Sequence, residues 1–250
     1  MILLFEFVGT AFVTCIFNCS LAEGISGFFC IFIGFFIVLI MGANISGSHF
    51  NPAVTLAFMF RKDEGRFRRL LGILYIAFQF LGGIVGALFS YNLLMARASI
   101  GVAKVVIGTK TTWYWSQAMF AETLGSTILV FIYLSQTEKK TQLAKDPAIT
   151  MLVISGAYIC ACVIARSGMV GISPINPAIA SGILGAEILA GKYSYAWGWV
   201  LLAFPMVGAI LGLLLFEFVY KKTHGAVKEG EGGDDDNKFS SSNGEPGYTA

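Results

Sequence analysis

The chain has 250 residues, of which 56% are hydrophobic and only 13% charged, and its formal net charge is +2. A soluble domain of this size carries roughly twice that charged fraction, so the composition excludes an ordinary soluble globular protein. The small net charge also argues against a nucleic-acid partner.

Taken in chain order, six nearly charge-free segments stand out: 1–17, 27–43, 70–95, 118–134, 148–165 and 196–219. Each approaches the ~20 residues that a helix needs to cross a bilayer. They predict an all-α, polytopic protein embedded in lipid. The first segment lacks a basic leading region and a small-residue cleavage site and holds Glu6 in its middle, so it reads as a span rather than a secretory signal. Six spans return the chain to the side from which it started. The connection "RKDEGRFRRL" carries Arg61, Lys62, Arg66, Arg68 and Arg69; the connection at 135–146 adds Lys139, Lys140 and Lys145; Lys221 and Lys222 adjoin the last span. The other side has Arg97, Lys104, Lys110, Lys192 and Arg166 spread over longer loops. This bias places both termini in the cytoplasm. Residues 221–250, rich in Gly, Ser and acids, predict a disordered tail. Cys15, Cys30, Cys160 and Cys162 lie inside apolar runs and Cys19 at a membrane edge; without metal-ligand spacing they read as small buried thiols.

The chain also repeats itself. "FEFVGTAFVTCIF" at 5–17 and "FAETLGSTILVFI" at 120–132 share Phe, Glu and a Gly three residues after the Glu. "SGSHFNPAVT" at 46–55 and "SPINPAIASG" at 173–182 share an Asn-Pro-Ala triplet: Asn51, Pro52, Ala53 and Asn176, Pro177, Ala178. Repeat one covers 1–95 and repeat two 114–220. Each has three spans, an odd number, so the second copy is inverted in the membrane, an arrangement that places function at the midplane between halves. Pro is favoured at the first turn of a helix and Asn just before it as a cap. Only about eight apolar residues follow each triplet, "AVTLAFMF" and "AIASGILG", too few to span. They predict two re-entrant half-helices meeting N-terminus to N-terminus, with both Asn amides and both positive helix ends on one aqueous path. Such donors bind a neutral solute's oxygen and repel cations.

On these residues the chain resembles the aquaporins of the major intrinsic protein family. "ISGSHFNPAVT" is similar to that family's first-loop signature, and "YIAFQFLGGIVGA" at 75–87 to its third helix; Pro205 and Gly208 resemble its last. The resemblance covers about residues 1–220 and implies a single channel domain of six helices and two half-helices, one pore per subunit and a homotetramer. It gives Glu6 and Glu122 the role of accepting hydrogen bonds from the loops that present the triplets. It puts His49 near the cytoplasmic pore wall, a position that an ordinary structural histidine would equally fill. The small residues Gly82, Gly83, Gly86 and Ala87 read as helix-packing contacts.

The chain departs from the pattern at the outer filter. The family has Arg directly after the second triplet; here it is Ile179, followed by Ala180 rather than the Asp of the glycerol-conducting branch. Counting from the triplets, and allowing one extra residue in "GISPIN", puts the other filter positions at Ile31 (or Ile33 if Gly34 anchors the alignment), Val163 and Ser173. The predicted filter is aliphatic with one hydroxyl. Arg166 ends the fifth span and reads either as a replacement charge at the outer mouth or as an interfacial Arg reaching the headgroups.

No nucleophile–base pair, metal-ligand cluster or phosphate loop occurs, so no enzymatic activity, metal or cofactor is expected. The leading reading is a passive channel for water or small uncharged solutes. Two others follow from the departures: a poorly conducting structural or adhesion protein with the same fold, and an ion-conducting relative. A coupled transporter is disfavoured, because both mid-span carboxylates are taken up as scaffold.

Overall fold

Apolar runs in a bilayer must satisfy their own backbone groups, and in one chain segment only a helix does so. A computed structural model describes residues 1–21, 25–62, 67–94, 101–102, 104–107, 110–113, 115–166, 169–170, 172–189, 191 and 198–227. The helices are α1 (Ile2–Ser20), α2 (Ile25–Gly42), α3 (Pro52–Phe60), α4 (Arg69–Leu94), α5 (Trp115–Thr137), α6 (Pro147–Ala165), α7 (Pro177–Leu189) and α8 (Gly198–Leu215). α1, α4, α5, α6 and α8 are long and apolar enough to cross a membrane; α2 is a shorter apolar helix. The six expected spans and the two half-helices, α3 and α7, are all present. α8 passes through a π-helical turn, Phe216–Tyr220, and continues to Val227. The expected break at 221 therefore comes too early: Lys221 pairs with Glu138 at 2.8 Å and holds the helix beyond its last apolar turn. The rest of the expected tail, 228–250, lies outside the described residues.

Two short antiparallel pairings decorate the connections. β1 (Gly101–Val102) pairs with β4 (Met169–Val170), and β2 (Lys104–Ile107) with β3 (Lys110–Trp113). Neither was expected from the sequence.

The repeat is visible in how the helices touch. α1 packs on α4, and α5 on α8. A side-chain carbon at Gly82 would collide with the Phe7 carbonyl, and one at Gly86 with the Ala11 carbonyl. In the second half Gly208 meets the Thr123 carbonyl and Gly212 the Thr127 carbonyl. Phe7 and Ala11 follow Glu6 by one and five residues, as Thr123 and Thr127 follow Glu122. Both pairs thus use one register, in which small residues let the backbones approach where lipid provides no hydrophobic drive.

Each half-helix packs on a long helix of the opposite repeat, α7 on α4 and α3 on α8. Gly83 faces the Ala178 carbonyl, and Gly182 the Gly83 carbonyl. The triplet of one repeat is thereby seated on the other. The cysteines correct one expectation. Cys162 is buried, but Cys30 and Cys160 are exposed on the outer helix faces, and Cys15 and Cys19 are half-buried. An apolar run in a membrane does not distinguish core from lipid, since both want the same side chains.

Candidate functional site

The two triplets build matching helix starts. Asn51 has extended backbone (φ −151°, ψ 119°), and its Oδ1 accepts from the Ala53 N–H at 2.9 Å, with Pro52 next. Asn176 Oδ1 accepts from the Ala178 N–H at 3.0 Å. Each cap satisfies one N–H that the first helical turn leaves unbonded. The other side-chain atom crosses between repeats. Asn51 Nδ2 donates to the Ile175 carbonyl at 3.0 Å, and Asn176 Nδ2 donates to the Phe50 carbonyl at 2.8 Å. The two half-helices meet end to end through this reciprocal pair.

The residue before each Asn sits in the left-handed region, Phe50 at φ 45° and Ile175 at φ 48°. Such a conformation costs of the order of 1–3 kcal/mol for a non-glycine and persists only when its surroundings enforce it. Here the enforcement comes from below. A side chain at Gly9 would overlap the Phe50 ring, and one at Gly125 would meet Ile175 Cδ1 at 2.7 Å. Gly9 and Gly125 are the glycines three residues after Glu6 and Glu122. The repeated Glu-x-x-Gly is therefore one device: the Glu holds the loop, and the Gly one turn on receives the side chain of its strained residue.

The two glutamates do this by different routes. Glu6 is fully buried; its Oε1 accepts from the His49 N–H at 3.1 Å and its Oε2 from the Phe50 N–H at 2.8 Å and from Gln79 Nε2 at 2.7 Å. In the second loop the position matching His49 is Pro174, which has no N–H to give. Ser173 makes up the gap. Its hydroxyl donates to Glu122 Oε1 and accepts from the Ile175 N–H at 3.2 Å. Glu122 Oε2 has no partner among the described residues. A single Pro thus converts a direct grip into a relayed one. Sequence reading missed this, although "SPIN" against "SHFN" carried the signal.

Of the expected filter positions, Ile31, Ser173 and Ile179 are buried in the interior, Ile179 with none of its surface exposed. Ile31 shares its helix face with Phe35, Val38 and Leu39, all buried, whereas Ile33 is off that face and Gly34 packs against Ile16. Val163 is a correction. It is 48% exposed, on a stripe with Leu152, Val153 and Cys160, and does not join the other three. The inward face of α6 presents Tyr158 and Cys162 instead. Tyr158 stacks on Phe35 with ring centroids 4.0 Å apart and donates its hydroxyl to the Pro174 carbonyl at 2.9 Å. Ser173 is buried, and its hydroxyl is used by Glu122 and Ile175. Arg166 caps α6 with an exposed side chain.

His49 is buried in an aromatic cage, its ring centroid 4.2 Å from Phe58, 5.3 Å from Phe67, 5.5 Å from Tyr75 and 6.2 Å from Tyr133. Its Nδ1 lies 3.2 Å from Thr55 Oγ1. Among the described residues no cluster of three or more His, Cys, Asp or Glu has the spacing to hold a metal.

Six crossing helices with two opposed half-helices, joined at capped Asn residues in the middle of the bundle, define a membrane channel of inverted-repeat construction. The comparisons agree. The model of the Major intrinsic protein family matches residues 2–216, and the chain belongs to that family, whose members are channels and not enzymes. It is 32% identical to aquaporin TIP1-1 of Arabidopsis thaliana, over 76% of this chain and 70% of the relative. It is 28% identical to glycerol uptake facilitator protein 3 of Lactiplantibacillus plantarum, over 86% of this chain and 95% of that one. Among solved structures it is similar in fold to the aquaglyceroporin from Plasmodium falciparum, with a TM-score of 0.69, 18% identity, and coverage of 90% of this chain and 98% of the other. The protein is an integral, multi-pass membrane channel for water or small solutes.

Proposed function

We propose that the pore conducts water or small uncharged solutes passively past the paired amides of Asn51 and Asn176, through an outer constriction that is aliphatic and lacks the family's Arg. The observation that carries this reading is the reciprocal Asn pair. An amide nitrogen bears two N–H groups, and each Asn spends one on the opposite loop, which leaves one to offer a solute oxygen. Both half-helix N-termini point at the same place and oppose a cation there. The constriction is drawn from Ile31 and Ile179, with Ser173 contributing bulk rather than a hydroxyl, since that hydroxyl is engaged by the scaffold. His49 and its aromatic cage form the wall of the opposite half of the path. A cytoplasmic location for both termini is supported by the positive-inside bias, with the basic connections gathered at one end: Arg61 Nη1 donates to Thr137 Oγ1 at 3.4 Å, and Lys221 Nζ donates to the Lys62 carbonyl at 3.1 Å. The functional assembly is a homotetramer, as the family membership supports.

A second reading, a poorly conducting structural or adhesion protein, is favoured by the complete burial of Ile179: a side chain that exposes nothing is not wetted, and an apolar ring that dewets closes a path.

Stopped-flow light scattering on proteoliposomes, for water and for glycerol, separates the two, with Ile179→Arg as a parallel sample. Flux above empty liposomes in the unmodified protein establishes the channel, and the ratio of the two solutes sizes its constriction. Flux in the variant alone makes Ile179 the closure. Silence in both sustains the structural reading.

A further inference from the structure

We propose that the outer groove between α3 and α8 binds the acyl chain of one anionic phospholipid, whose headgroup is held by Lys62, Arg69 and Lys222. The groove encloses about 340 Å³ and is walled by Leu56, Phe60, Ile210, Leu214 and Phe218. It opens outward, since Phe60, Ile210, Leu214 and Phe218 are 50%, 47%, 44% and 50% exposed. Its origin is local. α3 is only nine residues long and its chain turns into extended backbone at Arg61, while the π-helical turn at Phe216–Tyr220 resets the face that α8 shows to α3. Single π turns of this kind recur at functional sites.

Charge chooses the occupant. Lys62 Nζ lies 5.0 Å from the centre of the Phe218 ring and Lys222 Nζ 5.6 Å from the same ring; Arg69 Cζ lies 5.4 Å from the Phe60 ring. Three cations therefore stand over the two aromatic rings at the groove's mouth, at one end of the bundle. The groove's acid is Glu217, and both of its oxygens are committed: Oε1 accepts the Lys62 N–H at 2.9 Å and Oε2 pairs with Lys221 at 3.6 Å. A zwitterionic lipid would bring its own cation to this rim, whereas an anionic one would not. An acidic polypeptide would match the rim but leave the apolar trough unfilled, which a phospholipid tail of the adjoining leaflet fills. Basic residues beside a membrane attract anionic lipid in this way.

The test is retention of lipid by the purified full-length protein in native mass spectrometry, from an equal mixture of phosphatidylglycerol and phosphatidylcholine of the same chain length. The unmodified protein is expected to keep phosphatidylglycerol over phosphatidylcholine, and K62Q/K222Q to lose roughly thirtyfold of that preference, the value of two interfacial cations. L214W, which fills the trough, is expected to lower retention of both lipids. Glycerol 1-phosphate, a headgroup without a tail, is expected not to displace the bound lipid. Equal retention of the two lipids by the unmodified protein overturns the proposal without reference to any variant. So does an unchanged preference in K62Q/K222Q with its helix content intact, or displacement by glycerol 1-phosphate.

Discussion

Asn51 and Asn176 each donate a side-chain N–H to the carbonyl that immediately precedes the other, at 3.0 Å and 2.8 Å. Each Asn therefore caps its own half-helix with one atom and closes the opposite loop with the next. Either residue replaced by Ala opens a cap and orphans a buried carbonyl together. The expected cost is about 2–4 kcal/mol, the sum of a lost N-cap and an unsatisfied acceptor. It is read as a fall in the denaturant midpoint in detergent, and the two variants should fall by similar amounts; a change below about 1 kcal/mol in either contradicts the reciprocal pairing.

Glu6→Gln and Glu122→Gln should not be equivalent. Glu6 accepts three hydrogen bonds, two of them from loop amides, and a Gln there turns one acceptor into a donor facing a donor. Its expected cost is about 1.5–3 kcal/mol, the range for hydrogen bonds to a charged group. Glu122 accepts one bond and has an unpartnered Oε2, so Gln is expected to cost less than half as much. The comparison of unfolding midpoints checks the order.

Ser173→Ala removes the relay. Glu122 then keeps no donor among those described, and the Ile175 N–H loses its acceptor. A loss of about 1–3 kcal/mol is expected. Ser173→Thr, which keeps the hydroxyl, should lose less, and that ordering tells a hydrogen-bond role from simple packing.

Gly9→Ala and Gly125→Ala test the seats of the strained residues. A methyl at Gly9 meets a rigid ring, and at Gly125 the end of a more adaptable Ile side chain. Overpacking of this kind costs about 1–3 kcal/mol, with Gly9→Ala expected at the upper end. Gly9→Ala combined with Phe50→Leu should recover part of the loss, which a thermal melt in detergent would show.

Much of this was legible in the sequence. Charge-free runs gave the spans, and the triplets with their short apolar followers gave the half-helices, because both signals are local. Glu-x-x-Gly was visible as a repeat, but its meaning needed the loop residues that fill the Gly, which lie more than forty positions away. The α6 filter position was misplaced by a different cause. Counting through "GISPIN" fixes a residue only to within one, and one residue on a helix turns a side chain by about 100°. That rotation separates Val163, on the outer stripe, from Cys162, in the core. The thiols failed for lack of contrast: in lipid, the outside of a helix is as apolar as its inside, so hydropathy marks depth but not direction.

The exchanged amides also set an order of events. The Phe50 carbonyl is finished early in synthesis, yet its partner is Asn176, 126 positions later. At the usual ~5–20 residues per second, the first loop waits roughly 6–25 seconds inside the membrane with that acceptor unmatched. Nor is the seat that α4 offers α7 filled until the second half has entered upside down and brought its own loop to meet it. The channel's middle is thus a joint closed only by the second repeat, and a half made alone has every helix it needs but no partner for the bond that would finish it.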